Sequence, residues 1–172
     1  DGTAAYLSAQ DDVNVILNHT RAWVDDKALL RKVLRRPARR GTASYSNAIA
    51  LELAARHATG RWMFVMHNDV LVLSRAWLPH LLSKVGEQVR GVTMSVDRTR
   101  VHAMHSSGFL VDLDLCRELG LSFLPGPPAF DVADAVTVGL RRAGFGYHVC
   151  ANTFNRPETV EWIPEDDPLR AM

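Results

Sequence analysis

Three clusters of polar residues carry the side-chain types that metal binding and proton transfer require. The first is His67-Asn68-Asp69, which interrupts an apolar segment, with WMFVM before it and VLVL after it. An unpaired carboxylate is costly to bury, so Asp69 needs a partner for its charge. A carboxylate suits Mg²⁺ or Mn²⁺, and an imidazole such as that of His67 is tolerated better by Mn²⁺. A β-turn in which Asn68 and Asp69 satisfy their own backbone is the alternative.

The second cluster lies in GTASYSNAIALELA, where Gly41 precedes Asn47 by six residues. Gly41 permits a close backbone approach by a ligand. Asn47 falls at the entry of a helix that the pattern predicts over Ala48 to His57. Because the N–H groups of a helix N-terminus attract anions, both residues are candidates for binding a phosphorylated ligand. An ordinary capped helix explains the same residues without a ligand.

The third cluster is Asp131 and Asp134, at the start of a helix predicted from Asp131 to about Ala143. Their three-residue spacing places both carboxylates on one side of the first turn. The helix dipole favours their ionised form, which a general base needs before it accepts a proton. Capping alone is the competing explanation, with Asp131 as the N-cap and Asp134 at the third helical position.

The remaining histidines and the two cysteines are weaker candidates. On a strand, the spacing of His102 and His105 points them to opposite faces, so a shared zinc ion is not expected. His148 is expected to be packed on the last strand, although it could face the same sheet edge. Cys116 and Cys150 lack metal-ligand spacing, and we expect buried, inert thiols in a reduced, cytoplasmic setting.

Composition predicts one ordinary globular domain over residues 1–172. The chain is 47% hydrophobic and 23% charged, with a net charge of +1, which gives no field suited to nucleic acid or an anionic membrane. The local exception is a basic strip, Arg31 to Arg40, which suits a solvated helix face or a site for phosphate. No apolar run is long enough for a transmembrane segment, and the opening residues do not resemble a signal peptide.

Strands that alternate with helices predict an α/β sandwich around a mostly parallel sheet. Ligands bind beyond the carboxyl ends of the strands in such sheets, which is where His67-Asn68-Asp69 falls. Neither GxGxxG nor GxxxxGK occurs, which disfavours a nucleotide-binding domain of another enzyme class. The predicted strands are 13–18, 62–67, 91–96, 101–112 and 147–154; the predicted helices are a short one in 1–10, then 25–36, 48–57, 74–87, 113–120 and 131–143.

Taken in order, these segments resemble the inverting nucleotide-sugar glycosyltransferases of the large family-2 type, which have a GT-A fold. DGTAAYL looks like the end of that family's DNGSTDGT loop, and RRGTASYSNAIALELA is similar to its N-x-G-x-x-x-A-x-N-x-G segment. GRWMFVMHNDVLVL resembles the surroundings of its Asp-x-Asp signature. SSGFLVDLDLCRELG resembles its acceptor-side segment, and DVADAVTVGLRRAGF its E-D-x-D helix. The resemblance implies a Rossmann-like three-layer sandwich.

The resemblance also implies a metal and donor site. Asp69, with His67, would hold the Mn²⁺ or Mg²⁺ ion that bridges the two phosphates of a nucleotide-sugar. Gly41, Asn47 and Asn68, again with His67, would contact that donor. His67 replaces the first acid of Asp-x-Asp, a substitution the family often accepts. The family's final histidine has no clear match: Asn155 is nearest in register and His148 is an alternative.

The implied reaction is metal-dependent transfer of the sugar, with inversion, to a hydroxyl of a glycan, lipid-linked or small-molecule acceptor. Asp131 or Asp134 would accept the hydroxyl proton. The choice stays open because the chain has Asp-Val-Ala-Asp in place of Glu-Asp; Asp131 is slightly favoured because it adjoins the Pro/Gly loop FLPGPPAF. The family's first strand and base-binding loop precede DGT, so the chain is expected to be N-terminally incomplete relative to the family. The alternative function is a non-catalytic GT-A-like binding module.

Overall fold

The computed structural model describes residues 3–10, 42–67, 70, 72, 75–97, 101–126 and 129–150. Several sequence predictions lie outside the described residues: the strand 13–18, the helix 25–36, the basic strip, Gly41, Asn68, Asp69 and Asn155. The helices are α1 (Thr3–Ser8), α2 (Thr42–His57), α3 (Trp77–Leu82), α4 (Leu113–Glu118) and α5 (Asp134–Arg142). The strands are β1 (Trp62–Met66), β2 (Val89–Thr93), β3 (Val96–Asp97), β4 (Ala103–Met104), β5 (Gly108–Asp112) and β6 (Gly146–Val149).

The main described sheet has four strands in the order β1-β5-β2-β6, and β3 pairs with β4 in a small second sheet. β5 is antiparallel to both β1 and β2, and β6 is parallel to β2. The α/β class is confirmed, but the prediction of a mostly parallel sheet is wrong for these strands. The described part of 94–107, between β2 and β5, contains no helix. A parallel return needs a crossover connection, usually helical, so this return brings β5 back antiparallel.

Strand direction still creates a common edge. Because β1 and β2 are both antiparallel to β5, they run the same way, and β6 runs with them. Met66 pairs with Gly108, and Thr93 pairs with both Phe109 and Val149. The carboxyl ends of three strands therefore meet the amino end of β5 at one edge, which we call the ligand edge.

Helices pack on both faces of the sheet, because side chains alternate along the strands. Met63 and Val65 of β1 pack with residues of α2, α4 and α5, including Ala48, Cys116 and Val136. The opposite face forms a second cluster around Leu81, Val92 and Leu110, to which Trp62, Phe64 and Trp77 add partly buried side chains. The rings of Phe64 and Trp77 lie 4.8 Å apart. All five residues of β5 are buried, as expected for a strand between two others.

The cysteines are buried free thiols, as the sequence predicts. Burial, with a smaller contribution from the charge of Asp112, raises the pKa of Cys116 to about 12. Burial also raises the pKa of Cys150. A raised pKa keeps a thiol protonated and therefore weakly nucleophilic. Among the described residues, the helices are too short or too polar for any of them to cross a bilayer.

Candidate functional site

A cavity of about 310 Å³ lies at the ligand edge. Four of the predicted site residues line it, namely Asn47, His67, Asp131 and Asp134. They come from three segments that are far apart in the sequence. Its lining is completed by Ser44, Asp97, Met104, His105, Ser106 and Val132. The fold therefore brings together, in one concave site, the described members of the three polar clusters.

Helix α2 supplies Ser44 and Asn47, both half-buried. The sequence predicts Asn47 at the entry of this helix. The helix instead begins at Thr42, so Asn47 lies in its second turn. Ala48 is fully buried in the core and fixes the rotation of this part of the helix. Asn47 therefore faces the cavity as a helical side chain with an amide donor and acceptor, not as part of an N-terminal anion site.

His67 follows β1 and is tied to the turn before β5. Its backbone N–H donates to the carbonyl of Ser107 (3.1 Å), which extends the β1–β5 pairing by one residue. Its Nε2 lies 3.2 Å from Ser106 Oγ. The His67 and His105 rings are in an edge-type contact, with their centroids 6.1 Å apart and their planes inclined by 66°. The predicted position of His67 at the carboxyl end of a strand is confirmed.

The turn that holds His105, Ser106 and Ser107 divides the strand predicted over 101–112. Ser107 N–H donates to His105 Nδ1 (3.2 Å), and Ser107 Oγ lies 2.9 Å from the same nitrogen. The Gly108 N–H donates to the His105 carbonyl (3.3 Å). His105 thus lines the cavity, whereas His102 has a left-handed backbone (φ 50°) before β4. The prediction that both histidines lie on one strand is wrong, because β4 is only Ala103–Met104: His102 precedes it and His105 follows it.

Asp97, at the end of β3, also lines the cavity, although no sequence motif indicates it. The sequence does contain a weaker signal for Asp97 and another for His105. Asp97 follows directly on a predicted strand, where ligand residues of α/β sheets concentrate. His105 directly precedes a Ser-Ser-Gly turn signal, which indicates a strand end and not a strand interior.

The two candidate bases occupy different positions at the start of α5. The helix begins at Asp134, three residues later than predicted, and its N-cap is Ala133 in a left-handed conformation (φ 63°). The Asp134 Oδ2 atom accepts the Asp131 N–H (2.7 Å), and Asp131 Oδ1 accepts the Val132 N–H (2.8 Å). Asp134 is 3% exposed, whereas Asp131 is half-buried. The prediction of Asp131 as N-cap is therefore wrong.

Residues outside α5 stabilise the left-handed conformation of Ala133 at the start of this helix. The Ala133 N–H donates to the Phe123 carbonyl (3.1 Å). Glu52 of α2 in turn accepts the Phe123 N–H (2.6 Å) and the Ser122 hydroxyl (2.7 Å). A left-handed alanine is strained, and it persists only where its surroundings determine it. Tertiary hydrogen bonds, which a local sequence pattern does not contain, thus decide where α5 begins.

The described side chains give only part of the predicted metal site. Within the described ranges, no three His, Cys, Asp or Glu side chains come together to hold a metal ion. His67 is a cavity residue, while its predicted partner Asp69 lies outside those ranges. His148, the alternative ligand, is exposed on β6 and is absent from the lining given above. It lies near His80, whose pKa is lowered by burial and then by the charges of Lys84 and His148.

Comparison with known proteins gives one structural neighbour. No protein-family model matches the chain. No curated protein matches it in sequence. Among solved structures, it is similar to the mannosyltransferase PcManGT from Pyrobaculum calidifontis in complex with GDP-Man and Mn²⁺, with 22% identity and a TM-score of 0.49. The match covers 79% of this chain and 43% of that chain, less than half of its length. At this similarity, any functional assignment rests on the residues of the chain itself.

Proposed function

We propose that the chain is a nucleotide-sugar-dependent glycosyltransferase domain of the GT-A type, which transfers a sugar to an acceptor hydroxyl with inversion. One observation carries the proposal: Asn47, His67, Asp131 and Asp134 line one cavity at the ligand edge. Their three segments resemble glycosyltransferase motifs in sequence and in order. A capped helix, a β-turn and a second capped helix would each explain one segment, but they give no reason for the three to share a cavity.

In this proposal, Asp69 and His67 hold a divalent cation, Mn²⁺ or Mg²⁺, and Gly41, Asn47 and Asn68 contact the donor. The chemistry of the pair fits, because a carboxylate with an imidazole is a donor set that Mn²⁺ accepts. When bound, the cation neutralises the charge that develops on the diphosphate leaving group. The remaining steps belong to residues of the chain.

We assign Asp131 as the general base and Asp134 as a positioning residue. A base must reach the acceptor hydroxyl, and the half-buried Asp131 borders the cavity. Asp134 is almost completely buried and holds the Asp131 backbone through its Oδ2 atom. As the acceptor oxygen attacks the anomeric carbon, Asp131 takes its proton, and the bond to the diphosphate breaks on the opposite side of the sugar.

Calorimetric titration with UDP, GDP and TDP, each with and without Mn²⁺, tests the donor site. The expected result is Mn²⁺-dependent binding of one diphosphate, which is lost in Asp69→Asn. This substitution keeps the size of the side chain and removes its charge, and Asp114→Asn on the exposed face of α4 is the matched control. If no diphosphate binds under either condition, the proposal fails in favour of a GT-A-like module without a donor site.

A further inference from the structure

We propose that His105 is a ligand-binding residue of the cavity, which donates its Nε2–H group to an oxygen of a sugar hydroxyl. The inference rests on the proposed function, since it assigns a sugar as the acceptor. No sequence motif indicates His105 as a ligand-binding residue. The inference is argued from the hydrogen bonds that His105 makes within the turn.

The first step is the tautomer of the ring. Nδ1 accepts the backbone N–H of Ser107 at 3.2 Å, so this nitrogen must offer its lone pair. The Ser107 hydroxyl, 2.9 Å away, lies on the same side of the ring. A neutral histidine carries one proton, which therefore resides on Nε2. The turn assigns His105 as a hydrogen-bond donor at the far end of its ring.

The second step is how firmly that donor is placed. The turn is closed by the bond from Gly108 N–H to the His105 carbonyl, and it is joined to β1 by the bond from His67 N–H to the Ser107 carbonyl. Ser106 Oγ adds a side-chain contact to His67 Nε2. His105 itself is exposed where it lines the cavity, so a ligand can reach it without displacing core residues. A fixed, accessible donor discriminates between ligands better than a mobile one.

The third step is the class of ligand. The same cavity is lined by Asp97, Asp131 and Asp134, and a carboxylate offers about four lone-pair positions for hydrogen bonds. A ligand that complements both kinds of group carries hydroxyl donors and oxygen acceptors side by side, as a sugar ring does. A phosphate oxygen also accepts from an imidazole, but a free phosphate, without the divalent cation proposed for the donor, adds a negative charge next to three carboxylates. The lining thus favours a sugar hydroxyl over a free phosphate as the partner of His105.

Two substitutions at one position separate ligand binding from the structural role of the turn. His105→Asn places an amide oxygen near the position of Nδ1, so it can accept the Ser107 N–H, but it has no donor near the position of Nε2. His105→Gln places an amide N–H near Nε2 and gives up the acceptor of the turn. If His105 binds the ligand, His105→Gln retains binding and His105→Asn loses it; a purely structural role gives the reverse order.

The probes are the methyl glycosides of glucose, galactose and mannose, with inorganic phosphate as the anionic probe, measured by saturation-transfer NMR on the whole chain. We expect at least one glycoside to bind, His105→Asn to weaken it about 3- to 10-fold, and His105→Gln to change it less than about 2-fold. We expect millimolar phosphate not to displace the glycoside. Thermal unfolding of both variants shows whether the turn is intact.

Three outcomes overturn the inference. No glycoside binds, or His105→Asn binds the glycoside as well as the wild type does, or the His105 substitutions weaken the binding of phosphate and not that of the glycoside. The diphosphate titration described above is independent of these probes. Diphosphate binding without glycoside binding refutes the role of His105 and leaves the proposed transferase standing. Glycoside binding without diphosphate binding refutes the transferase and leaves a sugar-binding cavity.

Discussion

Two almost fully buried aspartates, Asp112 and Asp134, have different surroundings. Asp134 lies at the ligand edge, and Asp112 lies at the opposite end of the strands, where it pairs with Trp62 at the start of β1. Asp112, 2% exposed, ends β5; its Oδ2 atom contacts Arg61 (2.9 Å) and Arg90 (3.3 Å), and its Oδ1 atom accepts the Leu115 N–H and caps α4. Asp134, 3% exposed, accepts a backbone N–H and borders a cavity. The extent of burial therefore does not tell a carboxylate enclosed by protein from one beside a ligand site. The two are distinguished by their neighbours, which are two arginines for Asp112 and a cavity for Asp134.

The largest effect is expected from Asp131→Asn at the ligand edge. The substitution keeps an oxygen that can accept the Val132 N–H, but it removes the basic group, so turnover should fall about 10²- to 10⁴-fold. The melting temperature should change little. Turnover is measured by steady-state kinetics with the donor that the diphosphate titration identifies. The melting temperature is measured by scanning calorimetry. Turnover within 5-fold of wild type would exclude Asp131 as the base.

Asp112→Ala should have the largest effect on stability. It leaves the partly buried Arg90 without its carboxylate and removes the cap of α4, which together should cost about 3 kcal/mol or more. Chemical denaturation measures the loss. Asp114→Ala is the control, because its contact with Arg117 is exposed and should contribute well under about 1 kcal/mol. Equal losses in the two variants would contradict the description of this edge as enclosed by protein.

A smaller effect is expected from Asp134, the buried aspartate of the ligand edge. Asp134→Ala removes the acceptor of the Asp131 N–H and should cost about 1 to 3 kcal/mol, with a loss of turnover because Asp131 moves. Asp134→Asn keeps an acceptor oxygen and should recover most of the rate. The ratio of kcat between the two variants is the test. If Asp134→Asn is as inactive as Asp131→Asn, Asp134 is the base and the roles are exchanged.

The smallest effect at neutral pH concerns the thiol of Cys116, whose contribution to stability changes only as the pH rises. The folded pKa of Cys116, about 12, lies above its ordinary value of 9.0, so the unfolded chain loses the proton first. Stability from this group is complete below pH 9 and falls as pH rises toward 12, by at most about 1.4 kcal/mol per unit. Cys116→Ala should flatten the decline of the melting temperature between pH 8.5 and 10.5. An unchanged slope would show that Cys116 does not contribute.

Most element types were predictable from the sequence because local patterns determine them. The apolar run of β1 and the short helix α4, which Asp112 caps and Gly120 follows, lie close to the predicted positions. The direction of β5 was not predictable from its own residues, because it depends on how the preceding segment returns. The β-like composition of 101–112 predicts one strand, although Ser106 and Ser107 form a turn that divides it.

The sequence predicts only those residues of the candidate site that belong to local motifs. Asn47, His67, Asp131 and Asp134 were found because spacing and family resemblance indicated them, whereas Asp97 and His105 belong to no motif. The start of α5 was placed too early because Asp-Val-Ala-Asp fits a capping pattern. The left-handed Ala133 depends on the carbonyl of Phe123, a contact over ten residues that capping rules do not include.

The position of β5 also has a consequence for the order in which the chain is made and folds. Trp62 of β1 pairs with Asp112, fifty residues later, and β5 also separates β1 from β2. On a ribosome that adds about 5 to 20 residues per second, β1 waits about 2 to 10 seconds for this partner. The sheet therefore forms through contacts between distant parts of the chain, which predicts slow folding. Until β5 is available, the edge of β1 that it covers is exposed to pairing with other nascent chains.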